Sequence, residues 1–494
     1  MKIRVVKTAS KASAVQVVSY HNNRRLVLKH IGSAHKEEEL KELILIAKQW
    51  INDYSGQYSI FKEENPNSVL YLCYSTFFGV KYNYFYNQIR VIQEVFKFDS
   101  LPCLLNDLVA IRIFEPASKL RSLELLEQYF GVRHSRKSFY KIAPECINLK
   151  NIVEEKVLNF AKDYHNFKFD ILFYDVTTLY FEAFEEDELR KNGFSKDNKV
   201  QQPQILIALM VTKDGFPITY EIFPGNTFEG HTMLTVIKAF IKKNGIKEFT
   251  VVADAAMISS ENIKQLIQNN INYIVGARLG NVSDSLIEII NSNIIREDGK
   301  SIRVKTDNGD LICSYSSVRY RKDLFEMQKQ IAKAEEVIKY PSKNRKLKFI
   351  KTNAKKVELN ETLIDKTKKL LGIKGYYTNL DESVADDNII IERYHELYKI
   401  EYAFRMSKND LQSRPIFHYK EEPIKLHILI CFMALVISKH IELKTGITIK
   451  KFIQESKKIV DGEIINEITQ KIITIKANKT PKLNEIISKL NPPH

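Results

Sequence analysis

The order of apolar runs after residue 168 constrains this chain more than any other feature. Residues 169–176, 204–212 and 217–223 read as strands, the last two joined through Lys213-Asp-Gly-Phe-Pro217, a hairpin-type signal. A helical pattern over 232–243 follows, then a strand over 249–254, a helix over 260–268 and a strand over 272–277. Runs this apolar suit central strands covered on both faces. The segment therefore predicts an α/β layer structure built on one sheet.

Two of these runs end on lone carboxylates. Asp175 closes Phe169-Asp-Ile-Leu-Phe-Tyr-Asp175, and Asp254 closes Phe249-Thr-Val-Val-Ala-Asp254. A strand-end aspartate commonly caps the next helix or starts a turn. At the rim of a buried strand it also points into the crevice where open α/β sheets carry functional groups. Three strands, helix, strand, helix, strand and a later helix is the order of a ribonuclease-H-like fold. There the first and fourth strands are neighbours, which brings Asp175 and Asp254 together.

The later helix is predicted over 388–412, ended by Pro415. At ~100° per residue, Tyr394, Glu401, Arg405 and Lys408 fall within an arc of about 60°, while Leu397, Ile400 and Phe404 turn toward the core. The plain alternative is a surface Glu–Arg pair at i,i+4, worth ~0.3–0.5 kcal/mol. Asp381, Asp386 and Asp387 are rival acids in the polar loop before the helix. Three carboxylates from two strand ends and a helix can hold two divalent metals that activate an attacking oxygen and stabilise a leaving one at phosphorus.

At 494 residues the chain is too long for one core. The reading divides it into an α+β segment (1–65), a helical and DNA-binding region (66–165), the first part of the sheet domain (166–278), a β-rich insertion (279–377), the returning part of the sheet domain (378–445) and a helical C-terminus (446–494). Within 66–165, a helix from Pro116, a turn at Gly131 and a basic, hydroxyl-rich helix at His134–Lys141 follow the order of a helix-turn-helix. Arg136 and Lys137 on its second helix are candidate DNA contacts, and so is Lys196 in Gly193-Phe-Ser-Lys196. That lysine does not belong to a P-loop, because GxxxxGK[ST] is absent.

The balance of 75 Lys+Arg against 60 Asp+Glu gives +15, a sign that favours a polyanionic partner. A Lys-rich surface from AT-rich coding gives the same sign. The five scattered cysteines form no CxxC pair, which fits a reducing cytoplasm and argues against a disulfide framework or zinc finger. No signal-peptide pattern stands at Met1–Lys7, and the apolar run Ile428–Ile437 reads as a buried helix rather than a membrane span.

With these residues in view, the chain resembles bacterial insertion-sequence DDE transposases of the group with a Tyr-x2-Arg-x3-Glu-x6-Lys signature. Tyr394, Glu401 and Lys408 keep that spacing, with Leu397 where the group's arginine usually stands. Further stretches with the same likeness are His30-Ile-Gly-Ser-Ala-His35, Phe223-Pro-Gly-Asn226, Ala253-Asp-Ala-Ala-Met257, Tyr273-Ile-Val-Gly276 and Arg414-Pro-Ile-Phe-His418. The resemblance implies a ribonuclease-H-like core with an insertion before the glutamate. It also implies DNA cleavage and joining at the element's own ends by Asp175, Asp254 and Glu401 with two Mg²⁺, or Mn²⁺ in their place. Tyr394, Arg405 and Lys408 are expected to contact that DNA. Joining needs paired ends, so a homodimer on DNA is expected, at the nucleoid in a bacterial cytoplasm. A same-fold nuclease that cuts without joining, and an inactive copy that binds ends and represses them, are the alternatives.

Overall fold

Short alternating strands open the chain: β1 (Lys2–Lys7), β2 (Ser13–His21) and β3 (Arg24–Ala34) pair antiparallel in that order. Helix α1 (Glu37–Ser55) covers them, setting Leu43, Ile46 and Ala47 against Val15, Val17, Ile31 and Ala34. Its first turn carries Glu37, Glu38 and Glu39, the favourable sign for a helix N-terminus. This computed structural model describes residues 1–21, 24–55, 75–167, 169–182, 184–193, 201–245, 249–257, 259–339, 347–353, 356–466 and 472–490. They form two units, one of Met1–Phe85 with Gln128–Gly131 and Ser456–Leu483, the other of Tyr86–Glu127, Val132–Glu455 and Asn484–His494.

After β4 (Ser75–Lys81) the chain is helical: α2 (Asn83–Val95), α3 (Cys103–Phe114), α4 (Lys119–Leu125), a π turn, α5 (Arg136–Ile147) and α6 (Lys150–Asp163). Side-chain caps from Ser118 and Ser135 start α4 and α5. Helix α5 buries Phe139, Ala143 and Cys146 and leaves Arg136 and Lys137 exposed.

The catalytic-size unit is built on β5 (Ile171–Tyr180), β6 (Gln204–Thr212), β7 (Pro217–Pro224), α7 (Glu229–Asn244), β8 (Thr250–Ala253), α8 (Ser260–Gln268) and β9 (Asn272–Ala277). The sheet order is β7-β6-β5-β8-β9, and β5 and β8, the first and fourth strands, are adjacent as expected and pair parallel. Strand β6 is buried along its whole length, as its unbroken apolar run requires.

Residues 279–377 supply α9 (Asp284–Asn293), β10 (Ser301–Thr306), β11 (Gly309–Tyr315), α10 (Ser317–Lys339), β12 (Ile350–Asn353), β13 (Lys356–Leu359), α11 (Glu361–Lys369) and β14 (Ile373–Thr378). The expectation of a β-rich insertion needs correction on two points. The segment is more helix than strand, and its longer strands do not stand apart. β14 pairs antiparallel with β9, β11 with β14 and β10 with β11, so the core sheet grows to eight strands. The helices and the β12–β13 hairpin gather a small core of their own around Met327, Phe349, Ile364 and Leu371.

The chain returns through α12 (Asp387–His395), α13 (Tyr398–Arg405), a π turn at Met406–Asp410, α14 (Glu421–Thr445), α15 (Ile449–Ser456), β15 (Asp461–Asn466), β16 (Ile472–Ile475) and α16 (Pro481–Leu490). The single helix expected over 388–412 is therefore broken at Glu396–Leu397 and loosened after Arg405. The helical C-terminus is also corrected: β15 pairs with β16 and with β4 in a three-stranded sheet. β4 lies so far back in sequence that no local hairpin signal announces the pairing. Helix α14 has the length and composition of a membrane span, yet nearly all of its apolar stretch is covered by protein. It is the central helix of its unit.

Arg303 ties the insertion strands to α12. Its Nε donates to Asp387 at 2.9 Å and its Nη1 to Asp310 at 3.1 Å, and the guanidinium also reaches the carbonyls of Leu380 and Ala385. Arg303→Met leaves two partly buried carboxylates without a cation and is expected to destabilise the unit by about 2 kcal/mol. A thermal unfolding midpoint equal to the parent's contradicts this role.

Candidate active site

Parallel pairing aligns Tyr174 of β5 with Ala253 of β8, so Asp175 and Asp254 come next on neighbouring strands. Where β8 ends, one face of β5 opens: Tyr174 and Val176 are buried, while Asp175 and Thr177 are only half-buried. Asp175 Oδ1 accepts the N–H of Val176 at 2.8 Å. Asp254 is exposed, and its Oδ1 accepts the N–H of Ala255 at 2.7 Å and the Tyr394 hydroxyl at 3.0 Å. Its Oδ2 accepts no hydrogen bond among the described residues.

Tyr394 reaches Asp254 by lying over Gly276 of β9. A Cβ added at Gly276 would stand 2.4 Å from the tyrosine oxygen, so this strand position must lack a side chain. Burial, then the Asp254 carboxylate, raises the pKa of the tyrosine, which keeps it a protonated donor. Lys374 of β14 has its Nζ 4.5 Å from the centre of the Tyr394 ring. Burial, then Arg319, lowers its pKa, while Asp254 and Glu401 pull it back up. The charges of Asp254 and Glu401 thus both act on Tyr394 and Lys374, and the strand end and the helix meet there.

Glu401 is exposed on α13 and has no hydrogen-bond or ion-pair partner among the described residues. The i,i+4 pair with Arg405 does not form: the Arg405 guanidinium sits 4.8 Å from the centre of the Tyr402 ring instead. Lys408 donates to Thr177 Oγ1, two residues along β5 from Asp175 and on the same face. Leu397 is buried at the break between α12 and α13, 6% exposed. The rival acids have structural partners: Asp386 caps α12, Asp387 holds Arg303 and Ser301, and Asp381 holds Ser383.

Among the supporting candidates, Arg136 lies over Tyr140 at 5.7 Å, on the exposed face of α5 with Lys137. Lys196 lies outside the described residues. Gly225 of Phe223-Pro-Gly-Asn226 serves a close backbone approach, since a Cβ there would stand 2.0 Å from the Gln204 carbonyl oxygen. Lys374 was missed by sequence reasoning. The signal was a lone lysine in the otherwise apolar Ile373-Lys-Gly-Tyr-Tyr.

The donors at this site are carboxylate oxygens, the set that suits hard divalent cations. Among the described residues, the cluster whose ligand atoms all lie within 4.8 Å of one another is Cys103, Asp107 and His134, not the three carboxylates. Asp107 there is buried and already served by Tyr86 at 2.6 Å, His134 at 2.7 Å and Cys103 at 3.3 Å, so it reads as a hydrogen-bonded core group. Ligands shared by two ions about 3.5–4 Å apart must span more than the ligands of one.

The transposase DDE domain family matches residues 167–437, the stretch that carries this sheet and all three carboxylates, and the chain belongs to that family. It is a DDE transposase, an enzyme of DNA transposition of the polynucleotidyl-transferase type, and such enzymes use divalent metal ions. No curated protein matches the sequence. Among solved structures, a piggyBac transposase synaptic complex with hairpin DNA is similar at 12% identity and a TM-score of 0.37, over 76% of this chain and 69% of that one. That likeness is too slight to bear on the site.

Tyr394→Phe removes the donor to a charged acceptor and is expected to slow DNA cleavage about 10- to 100-fold. Gly276→Ala acts through the same contact, so the double variant should be no slower than the worse single one. Additive losses in single-turnover cleavage contradict the coupling.

Proposed function

We propose that the chain cuts DNA at the ends of its own insertion sequence and joins them to target DNA, with Asp175, Asp254 and Glu401 as the metal-binding and catalytic carboxylates. The observation that carries this reading is that the Glu401 carboxylate has no hydrogen-bond or ion-pair partner among the described residues, with Asp254 one residue beyond the parallel β5–β8 pairing and oriented from one side. Exposed carboxylate oxygens that the protein's own donors do not take are the oxygens a hard divalent cation takes. Bound there, Mg²⁺, two ions or Mn²⁺ in their place, supplies activation of the attacking oxygen and charge stabilisation at phosphorus.

The chain's own groups have distinct tasks. Tyr394 and the Ala255 N–H fix one oxygen of Asp254 and leave the other free to coordinate. Lys408, seated on Thr177, places a positive charge on the Asp175 side, where a DNA backbone phosphate can sit. We assign Lys374 the role of the cation that the group's signature arginine would supply, because Leu397 faces the core and Arg405 is drawn to Tyr402. Arg136 and Lys137, with Lys196, are proposed contacts to DNA away from the cut. A homodimer on paired ends, at the bacterial nucleoid, completes the reading.

Cleavage of duplexes carrying the element's ends, with Mg²⁺ or Mn²⁺, tests it. Asp175→Ala and Asp254→Asn should abolish cleavage, and Asp254→Asn should also abolish Mn²⁺ binding by calorimetry. Cleavage by Asp175→Ala at the parent's rate removes that residue from the assignment. Lys408→Ala should lower the slope of log affinity against log salt by about one, the loss of one phosphate contact. An unchanged slope with lost cleavage moves the lysine from binding to the chemistry.

A further inference from the structure

Away from the carboxylates, α3, α4, the 412–418 segment and α14 enclose a cavity of about 370 Å³. Its polar lining includes Arg112, Lys119, Arg121, Gln412, His418 and His427, and no Asp or Glu lines it. Lys119 is 5% exposed and Arg112 is 3% exposed. His427 Nε2 lies 2.9 Å from the Ser413 carbonyl oxygen and donates to it, so its Nδ1 accepts from Lys119 Nζ at 3.1 Å. Nothing else among the described residues bonds that ammonium. Arg112 donates to the carbonyls of Gln412 at 3.4 Å and Ala117 at 2.8 Å, and its buried Nε has no partner.

Two buried cations without a carboxylate are expensive to fold around. Burial, then Arg112, pushes Lys119 well below its usual range, and burial, then Lys119, holds His418 down to about 4. The lysine can shed its proton, but an arginine cannot. The cavity therefore holds at least one buried, uncompensated positive charge whenever it is empty.

We propose that this cavity is a binding site for a single phosphate group. A planar carboxylate is the poorer fit, because the lining donors stand on separate elements rather than in one fork: Arg112 on α3, Lys119 on α4 and His418 before α14. A tetrahedral oxyanion takes separate donors from several directions, as Lys119, Arg112 Nε and His418 offer, while Arg121 is already paired with Glu124 at 2.8 Å. The wall of the cavity is also continuous with the proposed catalytic helix: the N–H of Ser413 donates to Ser407 at 2.9 Å, next to Lys408, and Arg414 donates to Tyr180 at the end of β5. A phosphate seated here braces the segment that sets Lys408. The group comes either from a DNA backbone or from free phosphate; only the first source rests on the function proposed above.

Calorimetry of the full chain with inorganic phosphate, without metal or DNA, tests the site. The parent should bind phosphate and melt higher in its presence, Lys119→Met should bind at least tenfold more weakly, and Asp254→Asn should bind like the parent. If Lys119→Met does not fold by circular dichroism, His418→Gln is the second variant and should weaken binding several-fold. No binding by the parent at millimolar phosphate, or unchanged affinity in the folded variant, overturns the proposal and leaves the carboxylate assignment untouched. Phosphate displaced by a short duplex identifies the DNA backbone as the source, and phosphate bound alongside the duplex identifies the free ion.

Discussion

The parallel pairing of β5 with β8 is the interaction on which everything else at the site depends. Both strands are buried where they pair, and a shift of one residue would turn every side chain of β8 to the opposite face of the sheet. The pairing of Tyr174 with Ala253 sets the level at which Asp254 leaves the sheet, one residue beyond it and beside Asp175. The aspartates need no mutual attraction to meet. The hydrophobic core holds them together against their own repulsion.

That repulsion is managed by separation of tasks. Asp254 has one oxygen turned toward donors of the protein and one left open, while the Glu401 carboxylate has no hydrogen-bond or ion-pair partner among the described residues. The cations nearby are held by other contacts: Lys374 over the Tyr394 ring, Lys408 on Thr177 and Arg405 over Tyr402. A lysine paired directly with Glu401 would compete with a metal for the same oxygens. A lysine fixed a short distance away makes the local potential less negative and leaves the oxygens available.

Much of this was legible in the sequence because buried strands are written as unbroken apolar runs, and the run order gave the sheet from β5 to β9. The two aspartates could be placed for the same reason. The helix face carrying Tyr394, Glu401 and Lys408 was read through an idealised 100° step that the chain does not follow. It breaks at Leu397 and widens into a π turn after Arg405, and neither event has a glycine or proline to announce it. Lys374 and the β4–β15 pairing were illegible for a different reason. Both depend on contacts between segments far apart in sequence, and local periodicity carries no information about those.

The insertion illustrates the point most fully. From composition it reads as an appendage between the core and its last helix, and half of it does fold around its own small set of apolar side chains. Yet β14 hydrogen-bonds to β9, the strand whose Gly276 seats Tyr394, and the same β14 carries Lys374 against that tyrosine. One edge of the core sheet is thus completed by the insertion, and the tyrosine that orients Asp254 is packed between a core strand and an inserted one. Any motion that peels β14 from β9 would loosen Tyr394 and remove the lysine at once. On the proposed assignment, the inserted segment is therefore part of the machinery that sets the charge of the site, and its sheet pairing conditions the chemistry as much as the carboxylates do.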